Sequence, residues 1–381
     1  MSRHMVYLDN NATTACYPEV VEAMMPYWCQ DFGNTESTHL AGRKAGAVVE
    51  RCRETTASAI GARPHQILFT SGATEGNNFI FSSYARTQGV RKRVAVSEIE
   101  HKSVLGAAEG LEPLGYEVVL LPVSSDGVVD VERAKSLIDD SIGLVSVQLA
   151  NNETGVLQPV EALAALAHQK GAFFHCDAVQ ALGKTRIDLD ALDVDSASFS
   201  AHKIHGPKGV GILFVRSGSQ KFPFVTSLRG GGQEMGLRPG TVNVPGIVGL
   251  ARAMEMLPDE SALGEMRRLL QRFEKGILSK VADCVIHGCS AERLPNTCNF
   301  AVRGIPADML IANLPTICIS TGSACNSQEV APSRVLSAMG VTDEEALSSV
   351  RVSLSTQTTE DEIDCAISEI SQAVLRLKEL L

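Results

Sequence analysis

Short apolar runs alternate with amphipathic stretches over the first two thirds of the chain. QILFTS (66–71), RVAVSE (93–98), EVVLLPV (117–123), LVSVQLA (144–150), AFFHCDA (172–178), SASFSA (196–201) and GILFVRS (211–217) read as buried strands. Between several of them lie stretches with helical spacing of apolar residues, such as DVERAKSLIDD (130–140) and PVEALAALAHQKG (159–171). That alternation predicts an α/β fold with a mostly parallel mixed sheet and helices on both faces. After about residue 255 the texture changes. The charged amphipathic stretch SALGEMRRLLQRFEKGILSKV (261–281) leads into a smaller α+β region that ends in EDEIDCAISEISQAVLRLKELL. The expected division is a large domain over 13–254 and a small one made of 1–12 and 255–381.

Bulk properties narrow the function. The chain has 381 residues, 44% of them hydrophobic and 20% charged, which is ordinary for a soluble globular protein. A net charge of -10 argues against general affinity for nucleic acid, which calls for a basic surface. No run approaches the roughly 20 apolar residues that span a bilayer, and Asp9 interrupts any secretory signal. The ten cysteines are scattered, and none forms a C-x-x-C pair, so no metal site is expected. A reducing cytoplasm is the simpler reading of so many unclustered thiols.

Ligands of open α/β sheets bind beyond the carboxyl ends of the strands, so the residues that follow each strand carry the chemistry. After QILFT comes SGATEGNN, where Gly72 suits either a tight turn or a phosphate held by backbone N–H groups. After RVAVSE comes His101; taken alone, such a histidine is more often a surface or satisfied core residue than a catalytic one. After LVSVQLA come Asn151, Asn152 and Glu153, which fit a plain turn as well. AFFHC runs into Asp177 and then Gln180, and a carboxylate there is costly to bury without a charged partner. SASFS runs into AHKIHGPKG, with Lys203 beside His202; lysine is almost never fully buried unless it is paired or functional. Together these five strand ends offer a phosphate cradle, a histidine, an amide, a carboxylate and a lysine. Pyridoxal 5′-phosphate asks for that set: a lysine for its Schiff base, an anion for its pyridinium nitrogen, a phosphate site and a ring to stack on. Lys208 is the rival lysine, but it lies further past the strand.

These segments resemble the cysteine desulfurases of the NifS/IscS type, within the class V aminotransferases. The resemblance rests on YLDNNATT (7–14), FTSGATEGNN (69–78), EHKSV (100–104), NNETG (151–155), DAVQ (177–180), SFSAHKIHGPKG (198–209), GGGQEMGLRPGT (230–241), STGSAC (320–325) and SSVRVSLS (348–355). It implies the aspartate-aminotransferase-like fold of pyridoxal-phosphate enzymes. It implies that Lys203 carries the cofactor and that His101 stacks on its ring and helps move protons. Asp177 would pair with the ring nitrogen, with Gln180 and Asn152 near the ring oxygen. Ala73, Thr74, Ser200 and His202 would hold the phosphate, and Thr241 would reach the phosphate of the neighbouring subunit in a homodimer. Asn152 and Arg351 would clamp the carboxylate of L-cysteine, a task suited to guanidinium. Cys325, on a loop over about 317–333, would be the nucleophile. It would take the sulfur as a persulfide, leave L-alanine and pass the sulfur to an acceptor protein.

STGSACNS (320–327) supports that role on its own terms. Glycine and small side chains suit a loop that must swing, and a free thiol with a pKa near ~8.5 is partly ionised at neutral pH. Pro239 stands where the family usually has serine, which leaves the Thr241 hydroxyl in place. The chain stops at Leu381 without the extended tail of housekeeping members, which implies a specialised acceptor in iron–sulfur assembly, tRNA thiolation or DNA phosphorothioation. Two other classes stay open at this point. One is a related pyridoxal enzyme, such as a selenocysteine lyase or an aminotransferase. The other is a catalytically idle interaction module, which would be expected to have lost Lys203 or Cys325.

Overall fold

The computed structural model describes residues 5–218, 224–321 and 331–380. The chain starts with a two-residue strand, β1 (Val6–Tyr7), followed by helices α1 (Pro18–Met24), α2 (Pro26–Cys29) and α3 (Leu40–Ala59). The next seven strands are β2 (Ile67–Thr70), β3 (Arg93–Ser97), β4 (Glu117–Leu121), β5 (Ile142–Ser146), β6 (Phe173–Asp177), β7 (Ser196–Ser200) and β8 (Gly211–Val215). They form one sheet in the order β2-β8-β7-β6-β5-β3-β4. Neighbours from β7 through to β4 pair in parallel, and β8 lies antiparallel between β2 and β7. This is the mostly parallel mixed sheet that the apolar runs predict. Its central strands β6 and β7 are buried along their whole length.

Helices α4 (Ala73–Arg86), α5 (Lys102–Glu109), α6 (Val131–Leu137) and α7 (Val160–Gln169) connect these strands and cover the sheet, and α8 (Val244–Glu255) packs on α3. One apolar core, which includes Phe174, Phe199 and Ile247, fills one side of the sheet. A second, with Phe81, Tyr84 and Phe173, fills the other. One run is placed differently from its sequence reading. LVSVQLA starts its strand two residues earlier, at Ile142, and leaves the sheet after Ser146. Gly143 looks like a breaker, but a Cβ there would overlap the Tyr84 hydroxyl, so glycine is required inside this strand.

Beyond α8 the chain builds a second body. Helix α9 (Glu260–Lys280) leads to strands β9 (Cys284–Ile286) and β10 (Thr297–Val302), then helix α10 (Ala307–Ala312). Strands β11 (Ile317–Cys318) and β12 (Ser320–Thr321), helices α11 (Arg334–Ala338) and α12 (Asp343–Leu347), strand β13 (Ser349–Ser353) and helix α13 (Glu360–Lys378) complete it. The four strands β12-β13-β10-β9 form an antiparallel sheet, and β1 joins β11 in parallel. Val6 and Leu8 are buried in the separate core of this body, beside Phe273, Phe300 and Ile370.

One buried ion pair fastens the glycine-rich segment 230–241 to the large sheet. Arg53 of α3 meets Glu234 through two parallel contacts, NH1 to Oε2 at 2.9 Å and NH2 to Oε1 at 2.7 Å. The Phe69 N–H of β2 also donates to Glu234 Oε2, at 2.8 Å. Removing one member would strand a buried charge, at a cost of about 3–5 kcal/mol. No described helix is long and apolar enough to cross a membrane.

Candidate active site

The carboxyl ends of β2, β3, β5, β6 and β7 open into one cavity of about 480 Å³. Its wall carries Ala73, Thr74, His101, Asn152, Asp177, Gln180, Ser200, His202 and Lys203, so the strand ends singled out in the sequence do converge. Lys208 also reaches the wall, but it is exposed while Lys203 is half-buried. Thr241, expected at the neighbouring subunit's site, and Arg351 do not line this cavity. Thr241 is exposed. Arg351 is buried behind Asn152, whose carbonyl accepts from its NH1 at 3.0 Å. Cys325 lies outside the described residues.

At the β2 end, Gly72 is the N-cap of α4 with φ +153° and provides no side-chain cap; Glu75 N–H turns back to Gly72 O at 3.1 Å, which leaves the Ala73 and Thr74 N–H groups for a ligand. Around them stand Ser200, His202, Lys203 and Lys208. Burial, then the nearby Lys203, Lys208 and Lys184, push His202 down to about 4, which keeps its imidazole neutral at physiological pH. Its Nδ1 lies 3.1 Å from Thr13 Oγ1. At the β6 end, Asp177 accepts from Val179 N–H at 3.1 Å and from Asn77 Nδ2 at 2.8 Å. Two neutral donors thus hold this carboxylate in place. Cations and open amides at one end and a carboxylate at the other suit a ligand with a phosphate on one side and a basic ring nitrogen on the other.

Two asparagines escaped the sequence reading. Asn11 sits inside YLDNNATT, where it looks like a turn residue. Its carbonyl accepts from Lys203 Nζ and, at 3.1 Å, from Gln180 Nε2; Lys203 also donates to Ala12 O at 2.8 Å. Asn11 Nδ2 donates to Thr297 Oγ1 at 2.9 Å, and its backbone N–H donates to Ser353 Oγ at 2.9 Å. The N-terminal segment therefore fixes the lysine to strands β10 and β13. Asn77, in the middle of SGATEGNN, carries the contact to Asp177. Lys184, fully buried, donates to Gln180 Oε1 at 3.0 Å, and burial with Lys203 and Arg351 nearby pushes it down to about 7. Arg351 pairs with Asp9 through NH2 to Oδ1 at 2.7 Å, and Ser320 Oγ donates to the same oxygen at 2.9 Å.

Two carboxylates beside the site are held neutral-leaning by burial. Glu100, next to His101 in sequence, is pushed up to about 8, chiefly by burial, with Asp177 nearby adding to the rise. Its Oε1 accepts from Ser97 Oγ at 2.6 Å and from Gln148 N–H at 2.7 Å, while Oε2 has no partner among the described residues. Glu153 is pushed up to about 7 by burial, and its Oε2 accepts from Ser333 Oγ at 2.5 Å. A carboxyl raised from 4.5 to about 8 binds its proton more tightly in the fold than in the unfolded chain. The stability this gives is complete below about pH 4.5 and drains as pH rises through about 8. Urea unfolding of Glu100→Gln is accordingly expected to show a flatter loss of stability from pH 5 to 8 than wild type, by up to about 1.4 kcal/mol per pH unit. Parallel pH profiles for the two proteins would refute a raised Glu100.

Comparison with known proteins agrees with this geometry. The Aminotransferase class-V family model matches residues 6–365. A cysteine desulfurase of Nostoc sp. (strain PCC 7120) is 40% identical over 380 residues, which cover 99% of this chain and 94% of the relative. The cysteine desulfurase NifS of Azotobacter vinelandii is 41% identical over 382 residues, covering 98% and 94%. A solved structure described as a NifS-like protein superposes with a TM-score of 0.89 at 39% identity, covering 99% of this chain and all of that one. The sheet order, the lysine at the end of β7 and the carboxylate at the end of β6 thus stand in a frame shared along almost the whole chain, which belongs to the class-V aminotransferase family.

Proposed function

We propose that this chain is a cysteine desulfurase that uses pyridoxal 5′-phosphate and works as a homodimer. The observation that carries the reading is the meeting of Lys203, Asp177, His101 and an uncapped helix N-terminus in one cavity. Lys203 would hold the cofactor covalently, Asp177 would hold its ring nitrogen, and His101 would lie against the ring. Ala73, Thr74, Ser200 and His202 would hold the phosphate, joined by Thr241 of the other subunit, whose exposure in its own chain supports such a role. Bound there, pyridoxal phosphate would draw electrons from the substrate's α-carbon, which loosens the α-proton and prepares the bond between the β-carbon and sulfur to break.

The chain's own residues do the rest. Arg351 and Asn152 take the carboxylate of L-cysteine, with Asp9 holding the guanidinium in place beforehand. Lys203, steered by the carbonyls of Asn11 and Ala12, moves protons at the substrate's carbons. The Cys325 thiolate attacks the substrate sulfur. The carbon–sulfur bond breaks as a sulfur–sulfur bond forms, the carbon fragment keeps the electron pair and is protonated, and L-alanine leaves. The products are one L-alanine and one Cys325 persulfide, and an acceptor protein consumes the persulfide. The two separate apolar cores support a large domain over 13–254 and a small one over 1–12 and 255–381. The nine described cysteines are free thiols, in keeping with a reducing cytoplasm.

The deciding experiment gives the purified protein L-cysteine and a dithiol reductant and measures alanine. A yellow protein, or one that turns yellow on adding pyridoxal phosphate, is expected to release alanine in proportion to enzyme. A protein that gains no absorbance from the cofactor would overturn the reading. Faster turnover of selenocysteine would move it to a selenocysteine lyase.

A further inference from the structure

Six side chains, of which His101, Ser103 and Asp177 line the cavity, form one continuous hydrogen-bonded path, and the donors and acceptors give each link a direction. A carboxylate only accepts. Asp177 Oδ2 is 2.8 Å from the Asn77 amide, so the NH2 end of Asn77 faces Asp177 and its Oδ1 faces the other way. On that other side His175 Nε2 lies 2.9 Å from Asn77 Oδ1, which makes Nε2 the donor. His175 Nδ1 then accepts from Ser196 Oγ at 2.8 Å, and full burial keeps the ring neutral. The second N–H of Asn77 points at Ser103 Oγ, 2.8 Å away. Ser103 Oγ therefore accepts from Asn77 and has its own proton to give. His101 Nδ1 lies 2.8 Å from it and also receives the Ser103 backbone N–H at 3.2 Å. A ring nitrogen that accepts twice carries no proton.

We infer that Asn77 and Ser103 are positioning residues that carry the orientation set by the Asp177 carboxylate to His101 and fix its neutral ring with the proton on Nε2. The inference rests on the reading above only in treating His101 and Asp177 as parts of one catalytic cavity. It divides the labour at that cavity. His101 offers a hydrogen-bond donor from Nε2 and has no lone pair there, so it is not the base that takes the substrate's α-proton. That task falls to Lys203. The relay joins residues far apart in sequence, Asn77 to Asp177 across 100 positions and Asn77 to Ser103 across 26. The N-cap position of His101 on α5 is what turns its Nδ1 edge back toward Ser103.

The test labels the histidines of the purified holoenzyme with nitrogen-15 and reads the ring nitrogens by NMR, which distinguishes the two neutral tautomers. The His101 signals are those lost in His101→Gln. Wild type is expected to show a protonated Nε2 and a bare Nδ1 at His101. Ser103→Ala removes the hydroxyl donor but keeps the backbone N–H, so its His101 is expected to average between tautomers, and Ser103→Thr is expected to restore the wild-type pattern. Alanine release should follow, with kcat lowered about 3- to 10-fold in Ser103→Ala, KM little changed and recovery in Ser103→Thr. A wild-type His101 protonated on Nδ1, or a Ser103→Ala spectrum identical to wild type, would overturn the relay. The ring spectra do not depend on turnover. A protein that shows the expected spectra but releases no alanine would keep the relay and lose the functional reading.

Discussion

Lys203→Ala is expected to lose covalent attachment of pyridoxal phosphate and to release alanine from L-cysteine at least ~10³-fold more slowly than wild type. The expectation follows from where the amine is held. Two backbone carbonyls, Asn11 O and Ala12 O, aim Lys203 Nζ from the N-terminal segment into the cavity, and that segment is itself tied to Thr297 and Ser353. An amine freed from such a cradle would have to be oriented anew in every turnover, and none of the other cavity residues provides a replacement in that position. Among the described residues Lys208 is the one other lysine on the wall, and it is exposed. Borohydride reduction of the holoenzyme followed by peptide mapping separates the two. Cofactor fixed to the peptide with Lys203 in wild type, and no fixed cofactor in Lys203→Ala, is the expected pair of results. Cofactor fixed to Lys208 in either protein, or undiminished alanine release by the variant, would remove Lys203 from its role.

The same cradle shows why the sequence alone gave the lysine and not its support. A charged residue at the end of an apolar run is conspicuous, because burial makes it costly, and Asp177 and Lys203 were legible on that ground. Asn11, Asn77 and Ser103 are small polar residues in stretches rich in turn formers, and locally each reads as a cap or a turn. What makes them parts of the site is long-range contact. Asn11 meets Lys203 across 192 positions, and Asn77 meets His175 across 98. Only the order of strands in the sheet brings them together.

Most of the strands were readable because they are buried and rich in apolar residues, although the central strand β7, SASFS, carries three serines among its five residues. Their ends were less so. Gln148 continues the apolar run LVSVQLA, yet its N–H is taken by Glu100 and its side chain by Ile99 O, and the chain leaves the sheet there to form the cavity rim. Arg351 shows the opposite case. The resemblance marked it as a carboxylate clamp, while its partner in the fold, Asp9, belongs to the first ten residues, and no spacing rule links the two.

Cys325→Ser is expected to leave the cofactor and the binding of L-cysteine intact while abolishing the sulfur step, with alanine release reduced ~10³-fold or more. Sulfur transfer needs a thiolate as the attacking group. A free thiol with a pKa near ~8.5 provides some at neutral pH, whereas a serine hydroxyl provides essentially none. The described residues on either side of 322–330 are anchored beside the site: Ser320 to Asp9, which also holds Arg351, and Ser333 to the buried Glu153. Both anchors are made by side chains other than Cys325, so the substitution should not disturb them. Two readings made on one sample separate the steps. The cofactor absorbance should still change when L-cysteine is added to the variant, because the residues proposed to bind substrate are Lys203, Asn152 and Arg351. Mass spectrometry after a single turnover without reductant should find one extra sulfur on the peptide containing Cys325 in wild type and none in the variant. Wild-type alanine release by Cys325→Ser would mean that the sulfur leaves without a protein thiol, and would assign the STGSAC segment some task other than catalysis. An absorbance response lost together with the persulfide would instead place Cys325 in substrate binding.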